Sequence, residues 1–141
     1  MDKDEILARL PYKKPFLFVD DIIEIGDNHV VTEYTFDGEL DFYKGHFEDL
    51  PVTPGVILTE TMAQGGVVCL GIFLLNGTEV SRMALTSSEI EFYKPVFPGE
   101  KVVVTSEKIY FRFGKLKCRV KMENMDGDEV CNGTIAGMII E

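Results

Sequence analysis

The chain has 141 residues, which suits one domain with one hydrophobic core, so we treat 1–141 as a single unit. Its formal net charge of −10 argues against general nucleic-acid binding, which needs a basic surface. Cys69, Cys118 and Cys131 lack the spacing of metal ligands, and the acidic N-terminus does not resemble an export signal. We therefore expect a cytoplasmic protein with reduced cysteines and no metal.

The N-terminal part of the sequence predicts a short helix followed by two strands. Apolar residues recur from Pro15 to Ile25, which we assign to the first strand, and Gly26-Asp27-Asn28 is a turn signal. Apolar and polar residues then alternate from His29 to Asp37, as in a half-buried strand with His29 on its outward face. The segment from Asp41 to Thr53 is predicted to be irregular.

A long apolar helix is predicted over roughly residues 55–74. Pro54 suits its first turn, and Asn76-Gly77 is a helix-ending signal. Its uncharged part, Thr61 to Leu75, is shorter than a membrane span and contains glycines, so a buried helix is the better interpretation.

The rest of the chain predicts strands. They cover residues 83–94, 101–113, 115–122 and 129–140, and Asp126-Gly127 is a hairpin turn. A helix that is apolar on nearly all faces needs cover on nearly all faces. The sequence therefore predicts an α+β fold in which a mostly antiparallel sheet curls around one long central helix.

Two ionisable residues flank the start of this helix. His46 lies in the Gly45-His46-Phe47 tripeptide, and Glu60 is the only charged side chain from Pro51 to Leu75. Histidine titrates near neutrality, whereas burial in an apolar segment raises the pKa of a carboxyl toward neutrality. Two such groups can divide the base and acid roles of one reaction, although their spacing alone does not show that they meet.

Gly55 and Gln64 complete the candidate site. Gly55 falls at the helix N-terminus, where unpaired backbone N–H groups can polarise a carbonyl and a glycine lets a substrate approach closely. Gln64 follows Glu60 by four residues, on the same helical face, where its amide can orient the carboxyl or satisfy a backbone group instead.

Three motifs resemble one known family. The string GHFEDLPVTPGVILTETMAQ resembles the signature of 3-hydroxyacyl-[acyl-carrier-protein] dehydratases of the hot-dog fold. The N-terminal LPYKKPFLFVDDIIEI is similar to that family's first helix and strand, and FYKPVFPGE to a later element. The resemblance implies a sheet wrapped around a central helix. It also implies a homodimer or a trimer of dimers, in which the histidine of one subunit meets the acid of the other.

The resemblance also implies roles for single residues. His46 matches the family's catalytic histidine, Glu60 its catalytic acid, Gly55 the glycine that binds the thioester carbonyl, and Gln64 the glutamine behind the acid. Glutamate at position 60 resembles the dehydratase branch rather than the dehydratase/isomerase branch, which carries aspartate.

The sequence departs from the family pattern in two places. Glu48-Asp49-Leu50 and Thr53 replace residues usual in the family. Both departures bear on which substrate and which acyl-chain length the protein prefers, more than on the reaction that it catalyses.

A basic cluster stands out against the acidic background. Arg112, Lys115 and Lys117 flank the Gly114 turn. Basic residues that alternate with apolar ones along a strand, as Lys115 and Lys117 do, usually mark a solvated outer face. A local positive patch can also dock an acidic carrier protein, so these three residues are candidates for that contact.

We therefore expect dehydration of 3-hydroxyacyl thioesters carried on acyl-carrier protein to trans-2-enoyl thioesters. The reaction needs no cofactor, because water leaves without a change of oxidation state. Two alternatives remain: an acyl-thioesterase of the same fold, and a non-catalytic subunit that binds acyl thioesters.

Overall fold

A six-stranded antiparallel sheet curls around one central helix in the computed structural model, which describes residues 1–78 and 82–140. The strand order β1-β2-β4-β5-β6-β3 leaves β1 and β3 at the two edges. This arrangement confirms the predicted α+β hot-dog architecture. The strands are β1 (Asp21–Ile25), β2 (His29–Thr35), β3 (Arg82–Phe92), β4 (Lys101–Arg112), β5 (Lys115–Asn124) and β6 (Glu129–Ile140).

The N-terminal helix covers Lys3–Arg9 and is capped by Asp2, whose side chain accepts a hydrogen bond from the Glu5 N–H. The prediction of a first strand from Pro15 was wrong, because β1 begins only at Asp21. The preceding segment is held instead by the side chain of Gln64. The Gln64 amide donates to the Phe16 carbonyl over 3.0 Å and accepts from the Phe18 N–H over 2.8 Å.

The central helix runs from Gly55 to Leu75, one residue beyond the predicted end. Asn76, at φ 42°, and Gly77, at φ 97°, adopt the left-handed conformation that ends it. By length and apolar composition this helix would also fit a membrane span, but 67% of its apolar stretch is buried in the protein. Its apolar character is therefore explained by its place inside the sheet.

Two glycines let the sheet approach this helix closely. A Cβ atom on Gly65 would lie 2.2 Å from Thr32 Oγ1, and one on Gly66 would lie 3.0 Å from Val120 Cγ1. Both glycines lie in a π-helical turn, Gln64–Val68, that interrupts the α-helix directly after the Glu60 turn. The close approach to the sheet fixes the depth and rotation of the helix, and with them the position of Gln64.

The alternation predicted for β5 is confirmed. Its inward side chains are completely buried against the helix, whereas its basic side chains point outward. The three cysteines are buried free thiols, as expected for core residues. The inward residues of β5 are Leu116, Cys118, Val120 and Met122.

Candidate active site

His46 lies on a tight loop that the sequence predicted to be irregular. The loop follows a short 3-10 helix, Asp41–Lys44, whose Phe42 carbonyl accepts a hydrogen bond from the His46 N–H over 3.0 Å. The Val52 N–H then donates to the His46 carbonyl over 2.9 Å. These bonds close the loop on itself, so the histidine sits on a defined backbone beside the start of the central helix.

The His46 ring is oriented by one hydrogen bond. Its Nδ1 lies 2.9 Å from the Val52 carbonyl oxygen. Because a carbonyl can only accept, Nδ1 carries the proton, and the lone pair of the neutral ring is on Nε2. The ring is half-buried and stacks on Phe47 with 4.1 Å between ring centroids. Nε2 is therefore the nitrogen available to take a proton.

Gly55 begins the central helix and lines the same cavity as His46, which has a volume of about 330 Å³. Pro54 provides no side-chain cap, and the Gly55 N–H has no acceptor within residues 1–78 and 82–140. A Cβ atom at position 55 would lie 3.4 Å from the Phe92 ring. The cavity thus combines a proton acceptor with an unpaired backbone donor at a helix N-terminus.

Glu60 lies on the central helix with one carboxyl oxygen fixed. Gln64 Nε2 donates to Glu60 Oε2 over 2.9 Å, which is the contact that the spacing of the two residues predicted. Burial raises the pKa of the Glu60 carboxyl, and the hydrogen bond from Gln64 opposes part of that rise. Since Gln64 is fully buried and uses its remaining donor and acceptor on the backbone of Phe16 and Phe18, it holds the acid rigidly.

A second, smaller cavity of about 50 Å³ lies beside Glu60. Tyr12 also lines it, and sequence reasoning missed this residue. The one available signal was its position in the LPYKKPF segment that resembles the family. Burial, with the charges of Glu60 and Cys69, raises the pKa of Tyr12 to about 12, so its hydroxyl stays protonated. The other residues around this cavity are Ala63, Val67, Val68, Met83, Ala84, Leu85, Ile135 and Gly137.

The chain does not bring His46 and Glu60 together by itself. They line different cavities, and no hydrogen bond or ion pair joins them in the described residues. One cavity holds the candidate base and the backbone donor, and the other holds the candidate acid.

Thr53, one of the departures from the family pattern, is buried beside the His46 loop. Its hydroxyl oxygen lies 2.6 Å from the Tyr43 hydroxyl, and its N–H donates to the Val96 carbonyl over 2.8 Å. Thr53 therefore braces the loop, which is a structural role that the sequence did not indicate. His29, in contrast, lies 3.1 Å from the exposed Glu24 carboxylate on the surface.

The three candidate docking residues lie on one outer corner of the sheet. Arg112 pairs with Lys115 across the β4–β5 hairpin, and Lys117 pairs with Tyr110. The Arg112 guanidinium stands 4.2 Å from the centroid of the Tyr110 ring, a cation–π contact. The structure thus groups these cations near the Gly114 turn, on the face opposite the central helix.

Comparison with known proteins identifies the family. The FabA-like domain family matches residues 10–138. A 3-hydroxyacyl-[acyl-carrier-protein] dehydratase FabZ from Sinorhizobium fredii is 36% identical over 143 residues, covering 99% of this chain and 90% of the relative. The protein of that name from Streptococcus pyogenes is 34% identical over 136 residues and covers 96% of each chain. The chain belongs to this dehydratase family.

A solved structure supports the fold of this dehydratase family member. The dehydratase heterocomplex ApeI:P from Xenorhabdus doucetiae superimposes with a TM-score of 0.80 at 14% identity, covering 96% of this chain and 91% of that one. At this identity the likeness shows the hot-dog fold alone.

Proposed function

We propose that this protein removes water from 3-hydroxyacyl thioesters on acyl-carrier protein to give trans-2-enoyl thioesters, in fatty-acid or related polyene biosynthesis in the cytoplasm. The observation that carries the proposal is the Glu60 carboxyl. It has a raised pKa, is held by Gln64 and faces an apolar cavity, in a chain that belongs to the dehydratase family. A carboxyl whose pKa is raised keeps its proton to a higher pH, which suits it to donate that proton to a poor leaving group such as hydroxide.

In the proposed mechanism the three groups act on adjacent atoms of the substrate. His46 Nε2 takes the proton from the carbon next to the thioester carbonyl. The Gly55 N–H donates a hydrogen bond to the carbonyl oxygen, where negative charge develops. Glu60 gives its proton to the 3-hydroxyl, the C–O bond breaks, and the C–H electron pair becomes the new double bond. One proton passes from carbon to His46 and one passes from Glu60 to oxygen, so water is the only by-product. Return of a proton from the imidazolium to the Glu60 carboxylate restores both groups for the next turnover.

This mechanism needs His46 and Glu60 on one substrate, and a second copy of the chain can supply the missing half. Strand β3 is an edge strand, with one row of backbone N–H and C=O groups unpaired by the sheet. The apolar side chains of Leu85, Phe92 and Tyr93 are about half exposed on or next to it. An edge of this length with apolar side chains favours pairing with another strand.

Two-fold antiparallel pairing of β3 with its copy would join the two cavities. Because β3 runs from Arg82 to Phe92, a two-fold axis near Ser87 sets the Phe92 end of one strand against the Met83 end of the other. Phe92 lines the His46 cavity, and Met83 and Leu85 line the Glu60 cavity. A homodimer of this kind would therefore place the base of one subunit beside the acid of the other, twice. Such dimers can in turn assemble as trimers of dimers.

We further propose that Arg112, Lys115 and Lys117 dock the acyl-carrier protein. Acyl-carrier proteins are acidic, and this chain has a net charge of −10, so long-range forces oppose the encounter. A local group of three cations on one corner of the sheet would offset that repulsion where the carrier approaches.

Incubation with 3-hydroxyacyl carrier thioesters of graded chain length, followed by mass spectrometry, tests the proposed function. The expected result is loss of one water from the acyl group with the thioester intact. Release of free carrier thiol would identify a thioesterase instead. Tight binding without either reaction would identify a non-catalytic subunit.

A further inference from the structure

The cavity beside Glu60 contains a second polar group that the proposed mechanism does not use. Of the side chains that line it, only those of Glu60 and Tyr12 carry polar atoms capable of strong hydrogen bonds. The rest of the lining is aliphatic or sulfur-containing. Two polar groups in an otherwise apolar cavity favour a ligand that can form hydrogen bonds to both of them.

Both polar groups have unused hydrogen-bonding capacity. Gln64 occupies only Oε2 of Glu60, and Oε1 has no partner in residues 1–78 and 82–140. The Tyr12 hydroxyl likewise makes no hydrogen bond within these described ranges. A hydroxyl group bound between Glu60 and Tyr12 would satisfy both side chains, because it can accept a hydrogen bond from one of them and still form a hydrogen bond with the other.

The size of the cavity matches a small group. Its volume of about 50 Å³ exceeds the ~10–15 Å³ that one water molecule needs and is far from that of a long acyl chain. The Tyr12 hydroxyl also stays protonated there, since burial and nearby Glu60 and Cys69 raise its pKa. It is therefore a permanent hydrogen-bond donor at neutral pH.

We infer that Tyr12 is a further catalytic residue, whose hydroxyl holds the substrate's 3-hydroxyl against Glu60 and then holds the water formed from it. This inference rests on the proposed dehydration. In the step itself, Glu60 donates its proton to the 3-hydroxyl oxygen as the C–O bond breaks. The Tyr12 O–H donates a hydrogen bond to that same oxygen, keeps its own proton throughout, and releases the water product.

The test compares two thioesters that differ only in the 3-hydroxyl. Tyr12→Phe removes the hydroxyl and keeps the ring, so it should lower kcat/KM for 3-hydroxybutyryl-pantetheine about tenfold, the order expected for one lost hydrogen bond. Butyryl-pantetheine has no 3-hydroxyl, so its inhibition constant as a competitive inhibitor of Tyr12→Phe should stay within twofold of the wild-type value. Tyr110→Phe, on the outer face of the sheet, is the matched control and should change neither value.

A binding arm separates this inference from the proposed function. His46→Ala should slow turnover by about 10²–10⁴-fold, so NMR titration of that variant can measure the preference for the 3-hydroxylated thioester before the substrate is consumed. Adding Tyr12→Phe should lower this preference about tenfold, the effect of one lost hydrogen bond, whether or not the wild type dehydrates. Equal weakening of both thioesters would show that Tyr12 only supports the cavity wall, and an unchanged preference would show that it does not touch the hydroxyl. Either result would overturn the inference.

Discussion

His46 is prepared as a base by a single backbone contact. The hydrogen bond from Nδ1 to the Val52 carbonyl leaves Nε2 as the proton acceptor. The His46 N–H donates to the Phe42 carbonyl and the His46 carbonyl accepts from the Val52 N–H, which fixes the backbone that carries the ring. The tautomer and the orientation of the His46 ring therefore have one common origin, the geometry of the loop.

We predict that His46→Ala lowers kcat by about 10²–10⁴-fold, the usual contribution of a positioned general base. The protein should stay folded, because the ring is only half-buried. Steady-state kinetics with a pantetheine thioester, with circular dichroism as a check on folding, measure this. His29→Ala is the matched control and should be almost silent, since the His29 side chain pairs with exposed Glu24 on the surface. Turnover within twofold of wild type in folded His46→Ala would refute the base assignment.

Glu60 should reveal its environment through the pH dependence of stability. Burial raises its folded-state pKa above the ordinary value of 4.5, so the folded protein holds this proton more tightly than the unfolded chain does. The wild type therefore loses stability as the pH rises from about 4.5 through the folded pKa. Glu60→Gln lacks this titration, and its stability relative to wild type should rise over the same window.

Urea denaturation of both proteins at pH 5 and pH 8 measures this difference. Exposed Glu107→Gln provides the matched control and should show a much smaller change between the two pH values. If the stability of Glu60→Gln relative to wild type fell with rising pH, Glu60 would be better solvated when charged than the structure indicates.

The same Glu60→Gln protein should lose at least about 10²-fold in kcat, because an amide cannot donate an acidic proton.

At the residue scale, the sequence predicted those features that depend on local spacing. The hydrogen bond between Glu60 and Gln64 follows from their separation of one helical turn. Tyr12 was missed because it reaches the Glu60 cavity through tertiary packing of the N-terminal segment, which no local period encodes. The bracing of Thr53 by Tyr43 was missed for the same reason.

At the level of elements, the position of the central helix depends on two glycines that face polar and branched side chains of the sheet. Gly65 abuts Thr32 of β2, and Gly66 lies against Ser106 of β4 and Val120 of β5. Larger residues would push the helix away from the sheet. Since Gln64 precedes Gly65 directly, any such shift would also displace the amide that orients Glu60.

Gly65→Ala should therefore destabilise the protein by about 1–3 kcal/mol, the usual cost of overpacking. Its new Cβ atom would lie 2.2 Å from Thr32 Oγ1. Thermal or urea unfolding measures the change. Gly45→Ala is a suitable control, because a Cβ atom there meets no atom within 4 Å. If Gly65→Ala were as stable as wild type, the helix could shift without cost. That result would contradict the claim that Gly65 fixes the position of the helix against the sheet.

The elements themselves were largely predictable, and the one clear error is instructive. The strands after the helix were predicted close to their observed bounds, because alternation and turn signals such as Asp126-Gly127 are local. The segment from Pro15 to Asp20 is just as apolar as a strand, yet it has Gln64 as its hydrogen-bond partner at Phe16 and Phe18. Hydrophobicity predicts burial there, but not which group pairs with the backbone.

At the scale of the whole molecule, charge should govern the encounter with the carrier. Reversing Lys115 and Lys117 to Glu should lower kcat/KM for a carrier-bound substrate at least about tenfold through the association rate. A pantetheine thioester should react almost normally, because both residues lie on the face opposite the helix. Added salt should narrow the gap between variant and wild type, since screening acts over about 10 Å at 0.1 M. Equal loss on both substrates would show that these lysines support the fold instead.

The hydrophobic periodicity of the sequence could not predict how the subunits assemble. The resemblance implied a shared site, and the arrangement of the two cavities along β3 gives the physical reason for one. The two cavities lie near opposite ends of β3, an edge strand whose two-fold pairing would unite them. Neither hydrophobic alternation nor residue spacing reports which edge of a sheet remains open.

The most direct test of the account is complementation between two inactive chains. His46→Ala and Glu60→Gln proteins are mixed in equal amounts, their subunits are exchanged, and hybrid formation is verified by native mass spectrometry. If each site takes its base from one subunit and its acid from the other, every hybrid dimer has one intact site. About a quarter of wild-type activity should then return, as random pairing in a two-fold dimer requires. Verified hybrids without any recovered dehydration would contradict a site shared between His46 and Glu60.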